Sequence, residues 1–159
     1  MGDRLARVPR AVGGVLAVLW AGFVWSLSGG PPPEVPLTAF WSYVLNLAHA
    51  PLFAVFAVLL ALALPRTGER GWPALGGRER ALVLAAVLGY GVVDEWHQSF
   101  RPDRVASWTD VVTDLAGAAS TLAVAAYVAR FRAGAGGLAV RLVLGVAACA
   151  AAAWVAAFL

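Results

Sequence analysis

Long apolar runs interrupted by short polar breaks set the plan of this chain. Four are readable at once, Ala11 to Leu27, Trp41 to Leu64, Trp108 to Ala129 and Leu138 to Leu159, each near the roughly 20 residues a helix needs to cross a bilayer. Gly29, Gly30 and Pro31 to Pro33 close the first run, and Gly68, Gly71, Pro73, Gly76 and Gly77 follow the second, residue types that interrupt regular structure. A fifth run, Ala81 to Val93, reaches Asp94 after 13 residues, which at about 1.5 Å per residue covers about 20 Å of a hydrocarbon core about 30 Å thick. To cross, this helix must continue to about Phe100 and carry Asp94, Glu95 and Gln98 with it. Leu115 to Ala129 is short in the same way and must start near Ser107, taking in Asp110 and Asp114. The expected fold is all-α, a polytopic membrane bundle of about five transmembrane helices over 11–27, 41–64, 81–100, 108–129 and 138–159, in a single domain over 1–159.

Composition agrees with a lipid environment, since 61% of the 159 residues are hydrophobic and 13% charged, far from the balance of a soluble domain. All 12 basic residues are arginines and form no stripe of the kind that binds nucleic acid. Ten of them fall in the N-terminal tail, in the Arg66 to Arg80 loop, or at Arg130, Arg132 and Arg141, whereas Arg101 and Arg104 alone occupy alternate loops. Arginine without any lysine reads as the composition bias of a GC-rich bacterium; basic loops stay cytoplasmic, so the N-terminus is expected on the cytoplasmic side of its inner membrane and the C-terminus outside, with Trp25, Trp41 and Trp108 at external helix ends. The arginines at 4, 7 and 10 followed by an apolar run resemble a secretory leader. Bulky Trp20, Phe23 and Trp25, and the lack of a small-x-small cleavage site, favour an uncleaved first span. The single cysteine, Cys149, sits in an Ala-rich run and is expected to pack.

Polar residues inside such helices cost at least about 2.5 kcal/mol per charge and therefore face protein or water. Helical spacing places Gly91, Asp94, Glu95 and Gln98 on one face, and Asp110, Thr113, Asp114, Gly117 and Thr121 on another. A short turn joins the two helices, so these faces meet. His49 enters on the preceding span, about 12 Å from its outer end, and Asp94 lies about 9 Å from Phe100, so three helices bring ionisable groups to one level. Glu95 and Asp94 point about 100° apart, and Glu95, aligned with Gly91 and Gln98, is the better wall residue. His97 lies nearly opposite and reads as interfacial. Pro51, close to His49, frees a backbone carbonyl nearby.

The stretch Gly91, Asp94, Glu95, Gln98, Phe100, Pro102 and Arg104, followed by Asp110, Asp114 and Gly117, resembles the signature of the VanZ-like family of small bacterial membrane proteins. The spacing is close, and two positions depart: Asp114 stands where that family usually has Asn, and Leu45-Asn46 where an Asp-Lys pair often precedes the helix-two His. The resemblance implies an association with the cell envelope and, in the family's namesake, with resistance to antibiotics of the teicoplanin type. It implies no reaction.

Each polar residue also has an ordinary reading. Ser107 to Asp110 fits a capping box, and Arg104 could snorkel to the interface or pair with Glu95 or Asp110. His49, Glu95, Asp110 and Asp114 suit a divalent ion by type, but no pair of His at helical spacing accompanies them, and no metal is expected. No cofactor is written in the sequence. Three functions stay open. The first is catalysis by His49, Glu95 and Asp110, and the second is binding of an envelope lipid or lipoglycopeptide, with Asp94, Gln98, Arg104 and Asp114 recognising it. The third is a partner subunit in which the polar network only fastens helices three and four.

Overall fold

A computed structural model describes residues 8–31, 34–36, 38–65, 75–102, 106–129 and 133–158. Among them are five long helices and no strand: α1 (Arg10–Gly29), α2 (Ala39–Ala63), α3 (Gly77–Gln98), α4 (Trp108–Val128) and α5 (Ala135–Phe158). All but α3 are long and apolar enough to cross a membrane. Those four coincide with the expected spans to within three residues at each end. The helix α3 starts at Gly77, four residues earlier than its apolar run, because Arg78, Glu79 and Arg80 form its first turns. Glu79 suits that place, where exposed N–H groups favour an anion. At the other end α3 does carry Asp94, Glu95 and Gln98 within the helix, as span length requires.

Named contacts establish how the helices run. Gly13 near the start of α1 abuts Leu62 and Ala63 at the end of α2, whereas Gly29 at the end of α1 meets His97 at the end of α3. Tyr127 at the end of α4 hydrogen-bonds Gly134 just before α5, and Tyr43 near the start of α2 packs its ring on Trp154 near the end of α5. Successive helices therefore alternate in direction, and the bundle has two unlike ends. One gathers Arg10, Arg78, Arg80 and Arg141. The other gathers Trp25, Trp41, Trp96, Trp108 and Trp154, of which Trp96, Trp108 and Trp154 are well exposed. Arg4, Arg7, Arg66, Arg70, Arg130 and Arg132, on which the expected topology also drew, lie outside the described residues, as do Gly68, Gly71 and Pro73.

The helix α2 is the hub, packing on all four others, with α4 as its most extensive neighbour. Phe53, Phe56, Ala57, Val83, Val87 and Ala118 form the buried centre. Lipid is as apolar as these side chains, so their packing gains come from close contact and not from exclusion of water. Small residues let the backbones approach: Gly13 fits against the α2 backbone, and Gly145 of α5 against Ser120 of α4. The outer faces of α1 and α5 carry Val15, Val18, Leu19, Val143, Leu144 and Val146 in the open, the surface a lipid-facing helix presents.

Candidate functional site

Three helices converge in the half of the bundle nearer the tryptophans. From α2 comes His49, from α3 Gly91, Asp94, Glu95 and Gln98, and from α4 Asp110, Thr113 and Asp114, with every one of these except His49 buried. One residue past His49, the Ala50 carbonyl sits against Gly117 of α4, where a β-carbon would collide with it. One turn before Asp94, a β-carbon on Gly91 would lie 2.9 Å from Asp114 Oδ2. Two glycines on the polar faces thus permit the approach that brings the ionisable groups together.

His49 is held between two carboxyls. Its Nδ1 lies 3.1 Å from Asp114 Oδ1, and its Nε2 lies 4.0 Å from Asp110 Oδ2. Each ring nitrogen thus faces a carboxyl oxygen, and an ionised Asp114 accepts from a protonated Nδ1. The ring also stacks in parallel with Phe53, at a 6.5 Å centroid separation.

Glu95 turns elsewhere. The backbone N–H of Ser107, the N-cap of α4, donates to Glu95 Oε2 at 2.6 Å, and Gln98 Nε2 donates to Asp94 Oδ2 at 3.0 Å and more weakly to Glu95 Oε1 at 3.5 Å. In a capping box the residue three on from the cap would receive that N–H. Here Asp110 does not: Glu95 reaches across from α3 in its place, the Ser107 hydroxyl pairs with Thr109 Oγ1, and among the described residues Asp110 Oδ1 has no hydrogen-bond partner. Asp94 Oδ1 likewise has none among them, although Asp94 is only 2% exposed.

A cavity of about 380 Å³ opens beside this cluster between α1, α2 and α3. His49, Asp94, Gln98 and Ser28 supply its polar wall, and Val24, Leu27, Leu45, Leu52 and Phe53 much of the remainder. Asp94 therefore lines the cavity, where helical phase alone favoured Glu95. Val24, Leu27 and Ser28 of α1 had no place in the sequence-based site, because nothing in an apolar span marks which side faces a pocket. His97 is not interfacial alone: its ring stacks on Trp25 at 3.8 Å, and its Nδ1 lies 3.4 Å from the Ser28 hydroxyl. Arg104 lies outside the described residues.

A second, larger groove of about 760 Å³ runs between α2, α4 and α5 and is lined almost wholly by apolar side chains, including Pro51 and Cys149, with Arg141 at one end. The Arg141 guanidinium lies over the Tyr127 ring and donates to the Gly137 carbonyl. Among the described residues no three of His, Cys, Asp or Glu are arranged to hold a metal ion.

Comparison with known proteins adds one finding. A family model described as VanZ/LLP1 matches residues 11–130, which takes in α1 to α4 and every residue of the polar cluster, and leaves out α5. No curated protein and no solved structure matches.

Proposed function

The chain belongs to the VanZ/LLP1 family, and on that premise we propose that it binds the polar head of an envelope lipid or lipoglycopeptide in the outer half of the cytoplasmic membrane. The observation that carries this reading is the cavity of about 380 Å³ whose wall joins His49, Asp94 and Gln98 to apolar side chains of α1 and α2. Ligand pockets combine an apolar lining with a few placed polar groups in this way. The arginines at one end and tryptophans at the other support an N-terminus on the cytoplasmic side, which puts the cavity toward the outer leaflet.

Binding is favoured over catalysis by what Glu95 does. A general base must be free to reach a substrate proton; Glu95 is engaged by the Ser107 N–H and Gln98, and neither Glu95 nor Asp110 lines the cavity. His49, held by Asp114 on one nitrogen with Asp110 near the other, then acts as a fixed polar contact. A protective role toward teicoplanin-type antibiotics fits the same site, through sequestration of either the drug or the lipid it approaches.

The test is lipid retention and protection together. The purified protein in detergent should gain thermal stability from envelope lipid extract, and expression in a sensitive Gram-positive host should raise the inhibitory concentration of teicoplanin. Both effects should weaken in His49→Ala and Asp94→Ala. Folded variants that keep both effects would refute the reading and favour the partner-subunit role, for which the His49–Asp114 contact between α2 and α4 is the specific support.

A further inference from the structure

The chemistry of the cavity wall narrows what the bound head must be, an inference that rests on the headgroup reading above. Its described wall offers a hydroxyl, an imidazole, a carboxyl and an amide, from Ser28, His49, Asp94 and Gln98, and no arginine. Asp94 is 2% exposed, lines the cavity, and among the described residues its buried Oδ1 has no hydrogen-bond partner. A buried acceptor without a donor is costly, and native structures rarely leave one so. Behind the wall stand Asp114 against His49 Nδ1, Asp110 4.0 Å from His49 Nε2, and Glu95 sharing Gln98 with Asp94. Acidic groups thus outnumber the one imidazole among the described residues of the cluster. In a setting of low dielectric such a group repels a phosphate and attracts a cation.

We propose that this cavity receives a primary ammonium group, which donates to the Asp94 carboxyl, with the adjoining part of the ligand lying against Leu45, Leu52 and Phe53. A primary ammonium meets the requirement best because it carries positive charge and three N–H donors in a compact head. A quaternary ammonium carries the charge without the donors, and a glycerol head carries donors without the charge. The ammonium can come from an ethanolamine phospholipid, a free small amine or an amino sugar, and the three sources separate by experiment.

Delipidated protein in dodecyl maltoside is titrated with lipids that share dioleoyl chains: phosphatidylethanolamine, its N-methyl and N,N-dimethyl forms, phosphatidylcholine and phosphatidylglycerol. Free ethanolamine and glucosamine are added as soluble arms. Binding is read by native mass spectrometry and by thermal shift. Affinity should fall along the methylation series, by about tenfold from the primary to the quaternary head, the scale of a lost charged hydrogen bond. Asp94→Asn should flatten that series, and Leu45→Trp, which fills the cavity mouth, should abolish binding of every lipid. Binding by a soluble amine alone identifies the head as sufficient, whereas binding by the lipid alone adds the chains as part of the ligand. A flat series in the unmodified protein, or a preference for phosphatidylglycerol, overturns the ammonium inference; if Leu45→Trp still abolishes binding, headgroup recognition survives. Lipid binding indifferent to Leu45→Trp overturns both. Should Asp94→Asn fail to fold, the series in the unmodified protein together with Leu45→Trp decides the matter.

Discussion

His49 Nδ1 and Asp114 Oδ1 lie 3.1 Å apart, a contact that ties α2 to α4 across 65 residues of sequence. The two partners differ in exposure, since the Asp114 side chain is 2% exposed and that of His49 is 22% exposed. Removing the imidazole therefore takes a hydrogen-bond partner from a carboxyl that is 2% exposed, whereas Asp114→Asn keeps an atom able to pair with the ring. His49→Ala should lower the unfolding free energy by about 1–2 kcal/mol, at the upper end of polar contacts between membrane helices, and Asp114→Asn by less. A double-mutant cycle of His49→Ala and Asp114→Ala, followed by reversible unfolding in mixed micelles, should be non-additive. Strict additivity would show that the contact contributes nothing.

Glu95 serves α4 as a cap supplied from another helix, through the Ser107 N–H. Glu95→Gln retains an acceptor oxygen and should leave the start of α4 intact. Glu95→Ala should cost about 0.5–2 kcal/mol, the range for a lost N-cap. Hydrogen exchange discriminates the two, because protection of the Ser107 amide should collapse only in the alanine variant. Equal protection in both variants would remove Glu95 from this role.

Neighbouring glycines of α1 give a sharper packing test. A β-carbon on Gly13 would lie 2.7 Å from the Ala63 nitrogen and the Leu62 carbonyl carbon, both backbone, while Gly14 has nothing within 4 Å. Gly13→Ala should destabilise by about 1–3 kcal/mol through overpacking, and Gly14→Ala should stay within about 0.5 kcal/mol despite its identical chemistry. Thermal unfolding of the two variants side by side checks this, with similar melting temperatures as the contrary result.

Orientation is accessible through cysteine labelling in a Cys149→Ser background. Glu34, between α1 and α2 at the tryptophan end, and Arg80, near the start of α3, are both exposed. Glu34→Cys should react in whole cells with a membrane-impermeant maleimide, and Arg80→Cys only after permeabilisation. The reverse pattern would invert the topology and place the cavity toward the cytoplasm.

Much of this architecture was legible because lipid imposes strict lengths. Run length alone located α1, α2, α4 and α5, and the shortfall at Val93 required α3 to continue into Asp94, Glu95 and Gln98. Depth matching likewise brought His49 to the level of Asp94. What escaped the sequence depended on how helices rotate against one another. The Ser107 to Asp110 pattern reads locally as a cap, yet the crossing of α3 and α4 delivers Glu95 to that N–H first. Phase favoured Glu95 over Asp94 for the cavity wall, and the position of α1, which no periodicity reveals, sets which of the two faces the space. His97 met Trp25 for the same reason.

The cap that Glu95 provides to Ser107 also bears on how the chain enters the membrane. Taken alone, α3 lacks the apolar length of the other four helices and would carry two carboxyls into lipid unsatisfied. Taken alone, α4 would begin with an orphan N–H and with Asp110 and Asp114 exposed to hydrocarbon. Each supplies what the other lacks, so the two are best inserted as one hairpin leaving the translocon together, with α2 already present to offer His49. Such a hairpin would make the polar cluster serve insertion as well as the cavity wall, to which it contributes His49, Asp94 and Gln98.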